Sequence, residues 1–197
     1  MKNRISGVIL AGGLARRFGG TLKTKTIIGG TTVFERITGV ITGIFDEIVI
    51  VTNNPEEFSS YPQYRITSDI FPGLGPVAGI HSGLLSCSGD AAFVFAGDMP
   101  FLDIKLISDM ISDFEGNSAD IIVPQIGTNI EPLHAIYRKD LVNDLEEFIV
   151  KGKSRAIRDF IFMQKYSTFT VEDTPDNRKA FTNINSPQDL DNLYPLP

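Results

Sequence analysis

Residues Ile5 to Leu10 form a short apolar run that breaks at once into Ala11-Gly12-Gly13-Leu14-Ala15-Arg16-Arg17-Phe18-Gly19-Gly20-Thr21-Leu22-Lys23. An apolar run of this length, closed by glycines, reads as a buried strand. The loop after it carries two Gly pairs, two Arg and a Lys. Glycine lets a backbone turn tightly and bring its N–H groups close to a ligand. Arginine and lysine supply the positive charge that a polyphosphate needs. The segment is therefore suited to hold a nucleoside triphosphate. A surface loop with a few solvated charges is the bland alternative, but it does not explain why strand, paired glycines and cations coincide. Neither common phosphate loop is present. Gly, four residues, then Gly-Lys-Ser/Thr is absent, and the Gly pairs do not fit Gly-x-Gly-x-x-Gly.

Short apolar runs alternate with helix-like stretches along the rest of the chain, which predicts an α/β fold with a mainly parallel sheet. Ile5–Leu10 is the first strand. Thr32-Val33-Phe34-Glu35 is a capping box opening a helix to about Phe45. Strands are expected at Glu47–Val51 and Tyr64–Thr67. A helix with proline at its first position follows from Pro76 to about Leu85. Ala91–Ala96 is a continuous apolar strand, central and buried on both faces. Asp103 caps a helix through about Phe114. Ile121–Pro124 and Leu133–Tyr137 are two more strands. Lys139–Val150 and Ser154–Phe162 read as helices, Tyr166–Val171 as a β-rich run, and Ser186-Pro187 as the start of a last short helix.

The chain has 197 residues and 42% hydrophobic side chains, enough for one domain, 1–197, with a proper core. Its net charge of −6 argues against a nucleic-acid partner and makes the basic loop a local exception. The single cysteine, Cys87, excludes an internal disulfide, and no Cys/His cluster has zinc spacing. No apolar run is long enough to cross a bilayer, and Met1-Lys2-Asn3-Arg4 leads into no signal-like stretch. A cytoplasmic protein is expected.

Two carboxylates stand out. Asp98, in Gly97-Asp98-Met99-Pro100, directly follows the buried strand, and open α/β sheets place ligands at that carboxyl edge. Magnesium suits such a position, because it takes one or two carboxylates and leaves the rest of its shell to water and phosphate. Asp103 already serves as the nearby helix cap, so a metal role is favoured for Asp98. Asp69 also ends a strand and enters a Gly/Pro loop. Gly75, Gly79 and Gly83 then line one helix face; ordinary tight packing explains the last two at least as well as a ligand does. Further on, Gly152-Lys153-Ser154-Arg155 places two cations at an expected helix start, which is either an anion site or a solvated basic turn. His134 lies in an apolar strand, where a packed histidine is commoner than a catalyst. Asn183 and Asn185 share one face just before a helix; turn chemistry alone would also account for them.

Leu10-Ala11-Gly12-Gly13, Arg17-Phe18-Gly19-Gly20 and Lys23, followed in order by Gly75-Pro76-Val77-Ala78-Gly79-Ile80, Gly97-Asp98-Met99-Pro100-Phe101-Leu102 and Asn183-Ile184-Asn185-Ser186-Pro187, resemble the motifs of molybdenum cofactor guanylyltransferases. The resemblance runs from about Ser6 to Leu193. Gly12 leans toward the guanylyl branch rather than the related cytidylyltransferases. There is one departure: Leu22 stands where the family usually has Asp. Lys25 competes with Lys23 for the family lysine, and the spacing to Gly29-Gly30 favours Lys23. The Glu131-Pro132-Leu133-His134-Ala135 segment is also similar to a family segment.

The resemblance implies a Rossmann-like nucleotidyltransferase fold, with an N-terminal part for nucleotide and a C-terminal part for acceptor. It implies GMP transfer from GTP to the terminal phosphate of molybdopterin, with release of pyrophosphate and Mg2+ as cofactor. Asp98 would bind metal and nucleotide, and Asp69 would contact nucleotide, as would Thr52 or Asn53. Lys23 and Arg17 would neutralise phosphate charge over the backbone of Leu10, Ala11, Gly12 and Gly13. Arg155, Asn183 and Asn185 would face the acceptor. Cofactor-biosynthesis proteins and molybdoenzymes are the implied partners. The nearest alternatives are CMP transfer to the same cofactor and nucleotide transfer to a sugar phosphate. A GTP-binding regulator without catalysis is the alternative from another class, encouraged only by Leu22.

Overall fold

A computed structural model describes residues 4–12, 23–152, 154–184 and 189, without the side chain of Lys23. Ten strands are described: β1 (Ile5–Leu10), β2 (Ile27–Ile28), β3 (Thr31–Thr32), β4 (Ile48–Val51), β5 (Arg65–Thr67), β6 (Ala91–Ala96), β7 (Ile121–Ile126), β8 (Asn129–Ile130), β9 (His134–Arg138) and β10 (Tyr166–Val171). The helices are α1 (Val33–Ile41), α2 (Pro76–Ser86), α3 (Ile104–Gly116), α4 (Val142–Lys151), α5 (Ile157–Met163) and α6 (Pro175–Ala180). Eight strands form one sheet in the order β10-β7-β9-β6-β1-β4-β5, with β8 paired to β7. β1 runs parallel to both β4 and β6, β4 to β5, and β10 to β7, while β9 is antiparallel to β6 and β7.

Alternation along the central strands separates two cores. Ile9 on β1 and Phe93 and Phe95 on β6 face α1 and α3, where Ile37, Ile41, Ile107 and Phe114 are buried. Val8 and Val94, one residue away, face α2, α4 and α5, meeting Ile80, Leu84, Leu145 and Phe160. All six residues of β6 are buried, as a strand covered by helices on both faces requires. Among the described residues, no helix is long and apolar enough to cross a membrane.

β1, β6 and β10 occupy the expected residues, and the Thr32–Glu35 capping box is present in both directions. α1 ends at Ile41, four residues short of the expected Phe45. The chain turns there, and Phe45 instead packs under β1 and meets Phe93 and Phe95 edge-on at 6.0 and 5.8 Å. Burying a phenylalanine outweighs another helical turn through Gly43. The expected Lys139–Val150 helix divides into a 3-10 turn over Lys139–Leu141 and α4, which closes on Gly152 at φ +62°. α5 begins at Ile157 rather than Ser154, because Ser154 Oγ caps the chain outside the helix, accepting from Ala156 N–H at 3.1 Å. The expected helix at Ser186 lies outside the described residues.

Sequence patterning missed the β2–β3 hairpin and α6. The hairpin is two residues a side, too short for periodicity to show. Its signal was Gly29-Gly30, both at positive φ, as a tight two-residue hairpin turn demands. Thr174-Pro175, with Thr174 accepting from Asn177 N–H, was the overlooked start of α6.

Close approach of α2 to the sheet makes Gly83 a sharp test of packing. A Cβ there would lie 2.5 Å from Val8 Cγ1 and 3.4 Å from Val51 Cγ2, both on buried β-branched residues. Gly83→Ala is expected to lower stability by roughly 1–3 kcal/mol despite its better helix propensity. Gly39→Ala, at an exposed α1 position with nothing within 4 Å, should raise it by up to about 1 kcal/mol. Urea denaturation of the two variants checks the contrast; equal effects would refute the packing argument.

Candidate active site at the carboxyl edge of the sheet

The segments that follow β1, β4, β5 and β6 are joined by backbone hydrogen bonds. Ala11 N–H donates to Val51 C=O at 2.9 Å, and Thr52 N–H to Thr67 C=O at 2.8 Å. Gly97 N–H donates to Leu10 C=O at 3.0 Å. Ala96 N–H donates to Leu133 C=O at 2.8 Å, bringing in the loop ahead of β9. Ile184 N–H donates to Asp98 C=O at 2.8 Å, which ties the C-terminal Asn183-Ile184 segment to the same edge. Residues far apart in sequence are thus held in one place.

Gly97 has to be glycine. A Cβ there would sit 2.7 Å from Leu10 C=O and 3.2 Å from Ala11 Cα. The turn carrying Asp98 therefore rests directly on the loop that leaves β1. The Asp98 side chain is partly buried. Thr24 Oγ1 is buried near this turn with no hydrogen-bond partner among the described residues.

Asn53 and Asp69 form a reciprocal pair. Asn53 Nδ2 donates to Asp69 Oδ2 at 2.9 Å, and Asp69 N–H donates to Asn53 Oδ1 at 3.1 Å. The pair locks the exit of β4 to the exit of β5 and presents the carboxylate with its second oxygen toward α2. That oxygen lies 3.7 Å from where a Cβ on Gly79 would be, and Leu10 Cδ2 lies 3.1 Å from the same point, so Gly79 lets α2 pack close to both. Of the two residues proposed after β4, Thr52 is buried, and its hydroxyl accepts from Asn54 N–H at 3.1 Å. Asn53 is the one that faces Asp69.

Glu131 is a functional candidate whose role the local sequence pattern does not reveal. It sits in the loop between β8 and β9 and accepts Leu133 N–H on Oε1 at 3.1 Å. Burial pushes its acid pKa up, Asp98 adds to the rise, and Arg158 opposes it. The Ala96 N–H to Leu133 C=O bond and the Leu133 N–H to Glu131 bond set Glu131 beside the Asp98 turn. The cue in the sequence was an acid immediately before an apolar strand beside Pro132.

His134 has no catalytic geometry. It is fully buried and ringed edge-on by Phe93, Phe95 and Phe181 at 5.1, 5.5 and 5.3 Å, with neither ring nitrogen hydrogen-bonded. Burial holds its pKa down to about 3.

Leu10, Ala11, Asn53, Asp69 and Asp98 meet along this edge, and exposed Asn183 adjoins Asp98 through Ile184. Arg155 is exposed in the loop ahead of α5, not in a helical first turn as expected. Gly12 is exposed at the loop entrance. Lys23 opens a 3-10 turn over Lys23–Lys25. Gly13, Arg17, Leu22, Lys153 and Asn185 lie outside the described residues. No group of three or more His, Cys, Asp or Glu gathers as a metal cage among the described residues.

The chain is 34% identical to the probable molybdenum cofactor guanylyltransferase of Natranaerobius thermophilus, over 97% of this chain and 95% of that protein. It is 36% identical to the corresponding probable enzyme of Peptoclostridium acidaminophilum, covering 94% of this chain and 86% of the relative. Its fold superposes on the crystal structure of molybdopterin-guanine dinucleotide biosynthesis protein A from Archaeoglobus fulgidus with a TM-score of 0.81, at 27% identity over 95% of each chain. Residues 7–167 match the MobA-like NTP transferase domain. With a strand-edge site of this order and relatives of this extent, the chain belongs to the MobA-like NTP transferase family.

Proposed function

We propose that this protein transfers GMP from GTP to the terminal phosphate of molybdopterin and releases pyrophosphate. One observation carries the reading: Asp98 sits where the loop leaving β1 meets the Asn183-Ile184 segment, with the Asn53–Asp69 pair along the same edge. The relatives' names supply the acceptor. The division of labour follows the chain. Leu10, Ala11, Gly12, Gly13, Asn53, Asp69 and Lys23 serve the nucleotide, and Arg155, Asn183 and Asn185 serve the acceptor.

An oxygen of the acceptor phosphate attacks the α-phosphorus of GTP. The new P–O bond forms as the bond to the β-phosphate oxygen breaks, and pyrophosphate leaves with the electron pair. A phosphate monoester has a second pKa of about 6 and is already largely dianionic near neutrality, so no general base is needed. The buried neutral His134 is consistent with this. The work left to the protein is alignment and charge compensation. Lys23 and Arg17 neutralise the triphosphate, while the loop backbone donates to it. The Asn53–Asp69 lock fixes the nucleotide side against the strand ends.

Asp98, just beyond β6, offers a hard oxygen at the carboxyl edge of the sheet, and Mg2+ needs only one or two protein carboxylates because it keeps several waters and takes phosphate oxygens. When bound, Mg2+ supplies charge neutralisation on the phosphates. Asp98 is the residue to hold it.

The test is pyrophosphate release with molybdopterin, Mg2+ and GTP, CTP or ATP in turn. Release with GTP alone is expected. Release with CTP alone would reassign the nucleotide to the cytidylyl branch. GTP binding without release would overturn transferase activity toward this acceptor.

A further inference from the structure

A half-buried carboxylate is out of place in a site that must bring two phosphate anions together. Its negative charge repels both substrates unless it meets a hydrogen-bond donor on one of them. Glu131 is such a carboxylate. Its loop is pinned beside the Asp98 turn by two bonds in series. Leu133 N–H donates to Glu131 Oε1 at 3.1 Å, and Leu133 C=O accepts from Ala96 N–H at 2.8 Å, two residues before Asp98. The loop is further held from α5, where Arg158 Nη2 donates to Ile130 C=O at 3.3 Å.

Among the described residues, only Oε1 of Glu131 is engaged. Among the described residues no cation stands within ion-pair distance of the carboxylate, and Oε2 has no hydrogen-bond donor. Arg158, the cation that acts on it, is committed to the backbone of the same loop. Nothing in the packing accounts for the charge, because a neutral acceptor of the same length would hold Leu133 N–H equally well. Glu131 also lies on the side of Asp98 away from the Asn53–Asp69 pair, since β9 and β4 flank the β6–β1 pair from opposite sides.

We propose that Glu131 is an acceptor-specificity residue, its free oxygen receiving a hydrogen bond from an N–H group of the acceptor close to its phosphate. The inference rests on the guanylyl-transfer reading above. A reduced pterin carries ring N–H donors, and a simple sugar phosphate carries none. The carboxylate thus rewards the former and repels acceptors that present only anionic oxygen there.

Glu131→Gln tests this, because it keeps the length and the Oε1 acceptor for Leu133 N–H but removes the charge. Glu131→Ala removes both. Steady-state kinetics give KM for molybdopterin and for GTP separately, and titration with molybdopterin of the protein bound to Mg2+ and a GTP analogue with a non-cleavable α–β bridge gives a binding readout independent of turnover. Both variants are expected to raise KM and Kd for molybdopterin about tenfold or more, with GTP affinity within twofold of wild type. If Glu131→Gln matches wild type and only Glu131→Ala is impaired, Glu131 is merely a loop clamp and the inference fails. It fails equally if GTP affinity falls while molybdopterin affinity holds. Wild-type protein, assayed alongside, separates the two levels. Without wild-type transfer to molybdopterin both readings fall, whereas with it only the role of Glu131 is at stake.

Discussion

Asp98→Ala abolishes pyrophosphate release, by roughly 10³-fold or more, while the protein stays folded. The expectation follows from how this residue is attached. Its backbone carbonyl accepts Ile184 N–H at 2.8 Å, a structural bond that survives truncation of the side chain. Met99 and Pro100 after it are buried and Gly97 before it is wedged on Leu10, so the turn keeps its path. What is lost is the carboxylate at the strand edge that the proposed reaction assigns to Mg2+ and phosphate charge. Asp98→Asn, which keeps the shape, should be nearly as inactive. The checks are pyrophosphate release for both variants and their thermal unfolding. Near-normal turnover in either variant would refute the role given to Asp98, and a collapsed melting temperature would show the side chain to be structural.

The second large effect is on stability at low pH, and its source is His134. The folded protein holds this imidazole at a pKa of about 3, against an ordinary value of 6.5. Between those values the unfolded chain binds a proton that the native state excludes. Native stability therefore rises with pH through this window and is lost as pH falls from 6.5 toward 3. The slope from this one group approaches about 1.4 kcal/mol per pH unit. His134→Leu fills a similar volume between Phe93, Phe95 and Phe181 without unpaired nitrogens. It should be more stable than wild type by about 1–3 kcal/mol near pH 7.5, the cost of an unsatisfied buried donor and acceptor. Its advantage should widen as the pH drops. Urea denaturation of both proteins across pH 4 to 8 measures this directly, and a constant difference would mean the ring is not buried in its neutral form.

Much of the site was legible because its chemistry is local. Ile5–Leu10 and Ala91–Ala96 could be read as buried strands, and residues directly beyond such strands fall on the ligand edge of an open α/β sheet. The positions of Asp98 and Asp69 just beyond their strands were legible on that ground alone. Arg155 was misplaced relative to α5 because Ser154 had two competing uses, as a helix cap or as a partner for Asp159, whose carboxylate lies 2.5 Å from Ser154 Oγ. The place of Glu131 beside Asp98 depends on a β9–β6 pairing that no local pattern announces. Asn53 could be narrowed from Thr52 only once Asp69 was seen opposite it.

The sequence by itself determined the alternating α/β architecture, the strand-to-glycine-loop opening, the capped helices and the family. These depend on hydrophobic period, turn residues and short motifs, which act over a few residues. Only the tertiary structure decided that β9 runs antiparallel between β6 and β7, that Gly97 bears on Leu10, that Asn53 locks Asp69, and that the Asn183-Ile184 segment closes on Asp98. Those contacts join residues 14 to 87 positions apart. They are selected by the packing of whole layers and the pairing of buried backbone groups, which no window of neighbouring residues contains.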